Sequence, residues 1–258
     1  MCKRDGLKKA CVNVYTLDDD IDLPNRGLFH LELRNISFCH DTRGGGDIWN
    51  ESTACLVDGP NILLTLQSCN VQSASGRGIV VTRGARLWVR DSAIHDCAAT
   101  GVYVGDVRSS CLIQRSNFIR CGFGKKYDSH SHLYSDLSGS ESMDVDSGHS
   151  GVYVEATLEV TFDDSLVAGN SFTGISVVRC GAAALQNSDV LDNGDAPMAF
   201  EEPYDRLLGF DEEYDTLIRG RWYDLGGNSF GRPVQRPKAM QNVKERFRAT
   251  CNAGNPMG

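Results

Sequence analysis

Along this chain, short apolar runs alternate residue by residue, and the alternation itself recurs. Ile79 and Val81, Val102 and Val104, Val152 and Val154, and Ile175 and Val177 each flank one intervening position, as do Leu64 and Leu66 or Leu87 and Val89. A two-residue period in short β-branched segments predicts strands with one buried face. Aligning Leu33, Leu66, Val89, Ile113, Phe162 and Leu185 gives an apolar column with spacings of 33, 23, 24, 49 and 23 residues. A second column lies five residues further on, at Phe38, Val71, Ile94, Phe118, Val167 and Val190. A Gly-Ile/Val-x-Val element begins at Gly78, Gly101, Gly151 and Gly174, spaced 23, 50 and 23. The long spacings equal one repeat plus an insertion of Gly- or Ser-rich sequence.

Repeats of this length are units that bury a shared core only by stacking on their neighbours. Helical repeats would need longer runs with apolar positions every three or four residues. A leucine-rich solenoid would need L-x-x-L-x-L in every repeat, and neither pattern recurs along the chain. The expectation is an all-β solenoid of parallel sheets, with successive coils about 4.8 Å apart. Small polar columns fit that register. Three residues after the first column stand Ile36, Cys69, Ser92, Ser116, Ser165 and Ser188, and eight residues after it Cys97, Cys121, Asn170 and Asn193. Small hydroxyl, thiol and amide groups repeated at one site suit a tight interior turn, where each bonds to the backbone or to its copy one coil away.

Gly-Val-Tyr-Val at 101–104 and again at 151–154, Asp-Ser-Ala-Ile-His-Asp-Cys at 91–97 and Arg-Ser-Asn-Phe-Ile-Arg-Cys at 115–121 resemble repeats of right-handed parallel β-helix proteins of the pectin-lyase-like class. The resemblance covers roughly 28–195. It implies a single right-handed parallel β-helix, an architecture shared by carbohydrate-active enzymes and by intracellular interaction modules without catalysis. The shared positions are core and turns, so the resemblance does not choose between those functions.

The chain divides into an N-terminal cap or incomplete coil at 1–27, where Val12 and Val14 alternate, a β-helix at 28–195, and a C-terminal cap at 196–258. Insertions near 42–53 and 122–149 are expected to leave the solenoid as loops. Within the cap, Asp224–Phe230 resembles one last coil, and Gln241–Thr250 carries Val243 and Phe247 at helical spacing, so a small, partly helical cap is expected.

A formal net charge of −8 argues against a nucleic-acid surface and disfavours a polyanionic substrate. The charged N-terminus has no signal-peptide pattern, and no segment approaches the length of a membrane span. The expectation is therefore a cytoplasmic, monomeric protein with reduced cysteines, with Cys97 and Cys121 stacked inside, no cofactor, no metal and no membrane or nucleic-acid partner. His130, His132 and His149 lack ligands at fixed spacing, and His95 beside Asp96 reads as a turn residue.

Two outward columns hold the candidate chemistry. In the Gly-x-x-Val strands the middle residue points out, giving Val80, Tyr103, Tyr153 and Ser176. Tyr103 and Tyr153 should lie on adjacent coils about 5 Å apart, as a ligand-binding surface or a sheet-stabilising pair. The other column reads Asn35, Ser68, Asp91, Arg115, Asp164 and Asn187. A catalytic reading would pair Asp91 with Asp164 and use Arg115 as the clamp, and a bland one makes the three a charge ladder. The functional expectation is a non-enzymatic module binding a protein or glycan through Tyr103 and Tyr153. The alternative is a polysaccharide lyase, hydrolase or epimerase using Asp91, Arg115 and Asp164.

Overall fold

The computed structural model describes residues 10–16, 27–40, 53–106, 108–122, 149–155, 157, 159–194, 196–199 and 220–231. Within them the chain winds through three faces, laying one short strand on each per coil. Sheet A contains β1 (Val12–Tyr15), β4 (Thr53–Asp58), β7 (Arg77–Thr82), β10 (Val102–Val104), β13 (Val152–Glu155), β16 (Ile175–Val178) and β19 (Met198–Ala199). Sheet B contains β2 (Phe29–Arg34), β5 (Ile62–Gln67), β8 (Arg86–Arg90), β11 (Ser110–Gln114), β14 (Glu159–Asp163), β17 (Ala182–Gln186) and β20 (Arg221–Asp224). Sheet C contains β3 (Ser37–His40), β6 (Asn70–Ser73), β9 (Ala93–His95), β12 (Asn117–Ile119), β15 (Leu166–Ala168), β18 (Asp189–Leu191) and β21 (Ser229–Phe230). Each strand pairs in parallel with the equivalent strand one coil away, which makes a three-sided parallel β-helix.

The register follows the sequence columns. Leu33 pairs with Leu66, Leu66 with Val89, Val89 with Ile113, Ile113 with Phe162 and Phe162 with Leu185. On sheet C the line runs Phe38, Val71, Ile94, Phe118, Val167, Val190. Phe118 and Phe162 meet edge to face inside, at 6.3 Å between ring centres. These residues are buried except Leu33, which is half-buried on the first coil of sheet B. At the other end Phe230 continues the Val190 column and Trp222 stands on Ala183, two positions before Leu185, but they are 38% and 36% exposed, because no described coil stacks on theirs.

The small polar columns work as hydrogen-bond ladders. The backbone N–H of Ser92 donates to Ser116 Oγ, that of Ser116 to Ser165 Oγ and that of Ser165 to Ser188 Oγ, each at 3.2 Å. Each serine hydroxyl in turn donates to the carbonyl two residues back, as Ser116 does to Gln114 at 2.8 Å. Asn170 and Asn193 do the same at the turn from sheet C to sheet A. Their amide oxygens accept the backbone N–H of Cys121 and of Asn170, at 3.0 and 3.1 Å. Cys97 and Cys121 are fully buried in this column. They pack on the glycines of the Gly-x-x-Val element: a Cβ at Gly78 or Gly101 would lie 2.9 Å from the sulfur of Cys97 or Cys121. The eight described cysteines form no disulfide, and burial pushes the Cys55 thiol up to about 12.

Strands also lie outside 28–195. β1 pairs with β4 on sheet A, and β20 and β21 add a coil after β17 and β18. Thr53, placed by sequence in the first insertion, already begins β4. The remainder of that insertion, most of 122–149, and the expected helix at 241–250 lie outside the described residues.

Candidate functional site

Sheet A places its outward column as the alternation requires. Val80 pairs with Tyr103, Tyr103 with Tyr153 and Tyr153 with Ser176. The two tyrosine rings stack with centroids 5.7 Å apart and planes 13° from parallel. Arg77, at the start of β7 on the preceding coil, lays its guanidinium carbon 4.8 Å from the centre of the Tyr103 ring. Arg77 comes from the coil before Tyr103 and Tyr153 from the coil after, so the two cover opposite faces of that ring. The ladder therefore lies along the sheet, with the hydroxyl end of Tyr103 over Gly105. Gly105 leaves room for it, since a Cβ there would lie 2.5 Å from the Tyr103 ring.

The polar ends of the ladder meet at Glu155, the last residue of β13. The Tyr103 hydroxyl donates to its Oε2 at 2.7 Å, and Arg179 Nη1 donates to its Oε1 at 2.5 Å. Burial, then the bond to Glu155, push the Tyr103 hydroxyl well above its ordinary range, so it remains a donor. Arg77 differs. Its Nε is buried, and no acceptor reaches it among the described residues. Burial disfavours its charge, and only the proximity of Tyr103, Tyr153 and Glu155 counters that effect. Beside this cluster Arg83 forks onto Asp58 at 2.6 and 2.8 Å. Ser150, Thr173 and Ser176 form a buried hydroxyl triangle with edges of 2.6, 2.6 and 2.7 Å.

The other candidate column lies elsewhere in the coil than a strand pattern suggests. Asn35, Ser68, Asp91, Arg115, Asp164 and Asn187 all form the one-position bend from sheet B to sheet C, with φ between 46° and 55°. That is the left-handed region, which Asn and Asp enter more readily than other non-glycine residues. Arg115 makes a fork on Asp91, Nε to Oδ1 at 2.7 Å and Nη2 to Oδ2 at 3.0 Å. Asp164 stands one coil beyond Arg115. The column is a ladder of turn residues with an ion pair along it.

A third cluster surrounds Asp96, again at a left-handed bend (φ 51°). His95 Nδ1 lies 2.7 Å from Asp96 Oδ2, and Arg120 forks onto the same carboxylate with both bonds at 2.7 Å. His95 Nε2 lies 2.6 Å from Asn70 Oδ1. Burial pushes the Asp96 carboxyl up, but the bonds from His95 and Arg120 outweigh it and hold it at about 2. Among the described residues no group of His, Cys, Asp or Glu is arranged to hold a metal ion. His130 and His132 lie outside them.

Sequence reasoning brought Tyr103 and Tyr153 together but missed Arg77, Glu155 and Arg179. A signal for Arg77 existed. It precedes Gly78 where the equivalent positions before Gly101, Gly151 and Gly174 are Thr100, Ser150 and Thr173. An arginine among small hydroxyls is the odd member of its column.

The family model described as "Right handed beta helix region" matches residues 31–190. No curated protein and no solved structure matches the chain.

Proposed function

We propose that this chain, which belongs to the right-handed β-helix family, is a non-enzymatic binding module that holds a protein or glycan partner against the outward face of sheet A. The observation that carries this reading is the cluster of Arg77, Tyr103, Tyr153 and Glu155: an aromatic ladder on a sheet face, beside a guanidinium whose Nε has no acceptor among the described residues. Rigid aromatic side chains lose little conformational entropy on binding, which suits them to a contact surface. The fold itself does not call for these identities. At the same places other coils carry Val80 and Ser176, or Thr100 and Thr173.

Replacing both Tyr103 and Tyr153 by Ser should abolish the binding that the unaltered chain shows on a glycan array or in a pull-down. The cost to stability should stay at about 1–2 kcal/mol, the scale of a lost cross-strand aromatic pair. Unchanged binding by the folded double variant would reduce the pair to sheet packing.

A second reading is a carbohydrate-active enzyme of the same architecture, and the contact between His95 and Asp96 favours it, because a carboxylate on Nδ1 orients an imidazole for proton transfer. Against it, His95 Nε2 faces Asn70 and Asp96 is shared with Arg120. Turnover of a glycan that disappears in His95→Ala, with the fold intact, would displace the binding reading.

A further inference from the structure

We propose that Arg77 is the ligand-reading group of the sheet A face, and that it takes a single carboxylate carried by a protein partner, either an Asp or Glu side chain or a chain terminus. This rests on the reading of sheet A as the binding face and specifies what that face recognises.

Around the ladder, Glu155 is held by Arg179 and by the Tyr103 hydroxyl, and Asp58 is held by Arg83. Among the described residues around the ladder, Arg77 is the cation without a carboxylate partner. It packs on Tyr103 at 4.8 Å, and its buried Nε donates to nothing among the described residues. A buried donor without an acceptor is costly to leave. Arg77 as a residue is half-buried with its Nε inside, so a carboxylate meets the terminal N–H groups, whose parallel geometry matches its two oxygens. The neighbouring ring edges carry the positive end of the aromatic quadrupole, which also favours an acceptor.

Two observations select a protein carboxylate over an acidic polysaccharide. First, the faces of Tyr103 are covered by Arg77 and Tyr153, so that ring offers no face for a sugar to stack on. Second, the chain carries a net charge of −8. A polymer with a charge on every residue meets repulsion along its length, whereas one carboxylate meets Arg77 beside a Glu155 whose charge Arg179 offsets.

The test is an NMR titration of the full chain, following the side-chain Nε–Hε signal of Arg77. The probes are acetyl-Gly-Glu-Gly-amide, its Gln analogue and a galacturonate trisaccharide. The glutamate peptide should shift the signal saturably, and the Gln analogue and the trisaccharide should bind at least about tenfold more weakly, the effect of losing a charge-assisted bond. Arg77→Gln should lose the glutamate response as read from the amides of Tyr103 and Tyr153. Arg77→Lys, which keeps the charge and packing stem, should retain a weakened one and confirms that loss in Arg77→Gln is not misfolding. Equal response to the Glu and Gln peptides, or preference for the trisaccharide, overturns the assignment of Arg77 while leaving sheet A as a binding face. No response at Arg77, Tyr103 or Tyr153 to any probe overturns the assignment, and the double Tyr variant then decides separately whether the face binds at all.

Discussion

The turn from sheet B to sheet C and the outward face of sheet A are both columns of polar or aromatic residues repeated coil by coil, yet their identities have different causes. At the turn, Asn35, Ser68, Asp91, Arg115, Asp164 and Asn187 share one backbone conformation with positive φ. Four of the six are Asn or Asp, the residues that tolerate it best. On sheet A the backbone is ordinary strand and accepts Val80, Tyr103, Tyr153 or Ser176 alike. A column that the fold explains is poor evidence for function. Where the fold leaves identity open and the side chains still converge, as Arg77, Tyr103 and Glu155 do, we propose a functional cause.

That contrast can be broken most forcefully at the turn. Ser116→Ala removes the Oγ that accepts the Ser92 N–H inside the bend. It should cost about 1–3 kcal/mol of unfolding free energy, the penalty of an orphaned buried donor, measured by urea denaturation. A cost near zero would mean that the serine ladder is incidental. At the neighbouring column the backbone conformation, not the carboxylate, should matter. Asp164→Asn should leave the unfolding midpoint in place, and Asp164→Val should lose about 1–2 kcal/mol from left-handed strain. The opposite ranking would restore a role for the charge.

The smallest effect is a pH dependence at Asp96. Its carboxyl lies below its ordinary value of 3.8, at about 2 in the folded chain. The unfolded chain therefore takes up the proton first, and the contribution of Asp96 is present above about pH 4 and fades as pH falls toward 2. Wild type should exceed Asp96→Asn in stability by about 1–2 kcal/mol at neutral pH, allowing for the exposure of Arg120. The gap should shrink to about 0.4 kcal/mol or less at pH 2 and close below it. A gap that persists there would assign the difference to packing.

Much of the architecture was legible because a solenoid repeats its instructions. Leu66, Val89 and Ile113 mark one wall, Val71, Ile94 and Phe118 another, and the serines at 92, 116, 165 and 188 a bend. One strand escaped because β4 lacks the leading glycine of its sheet A successors and follows an insertion, so Cys55 and Val57 did not align with Ile79 and Val81. The B-to-C bend was read as an outward strand position because Ser68 and Arg115 interrupt its run of Asn and Asp. Tyr103 and Tyr153 could be paired from spacing alone. Arg77 and Glu155 could not, since their contacts with Tyr103 depend on side chains reaching across coils, which a two-residue period does not encode.

We propose that function sits on the sheet A column and not on the turn column. The direct measurement compares two folded double variants, Tyr103→Ser with Tyr153→Ser and Asp91→Asn with Asp164→Asn, against one partner that the unaltered chain binds. The tyrosine pair should lose that binding while the aspartate pair keeps it at the wild-type level. Loss of binding in the aspartate pair, with the tyrosine pair unaffected, would contradict it.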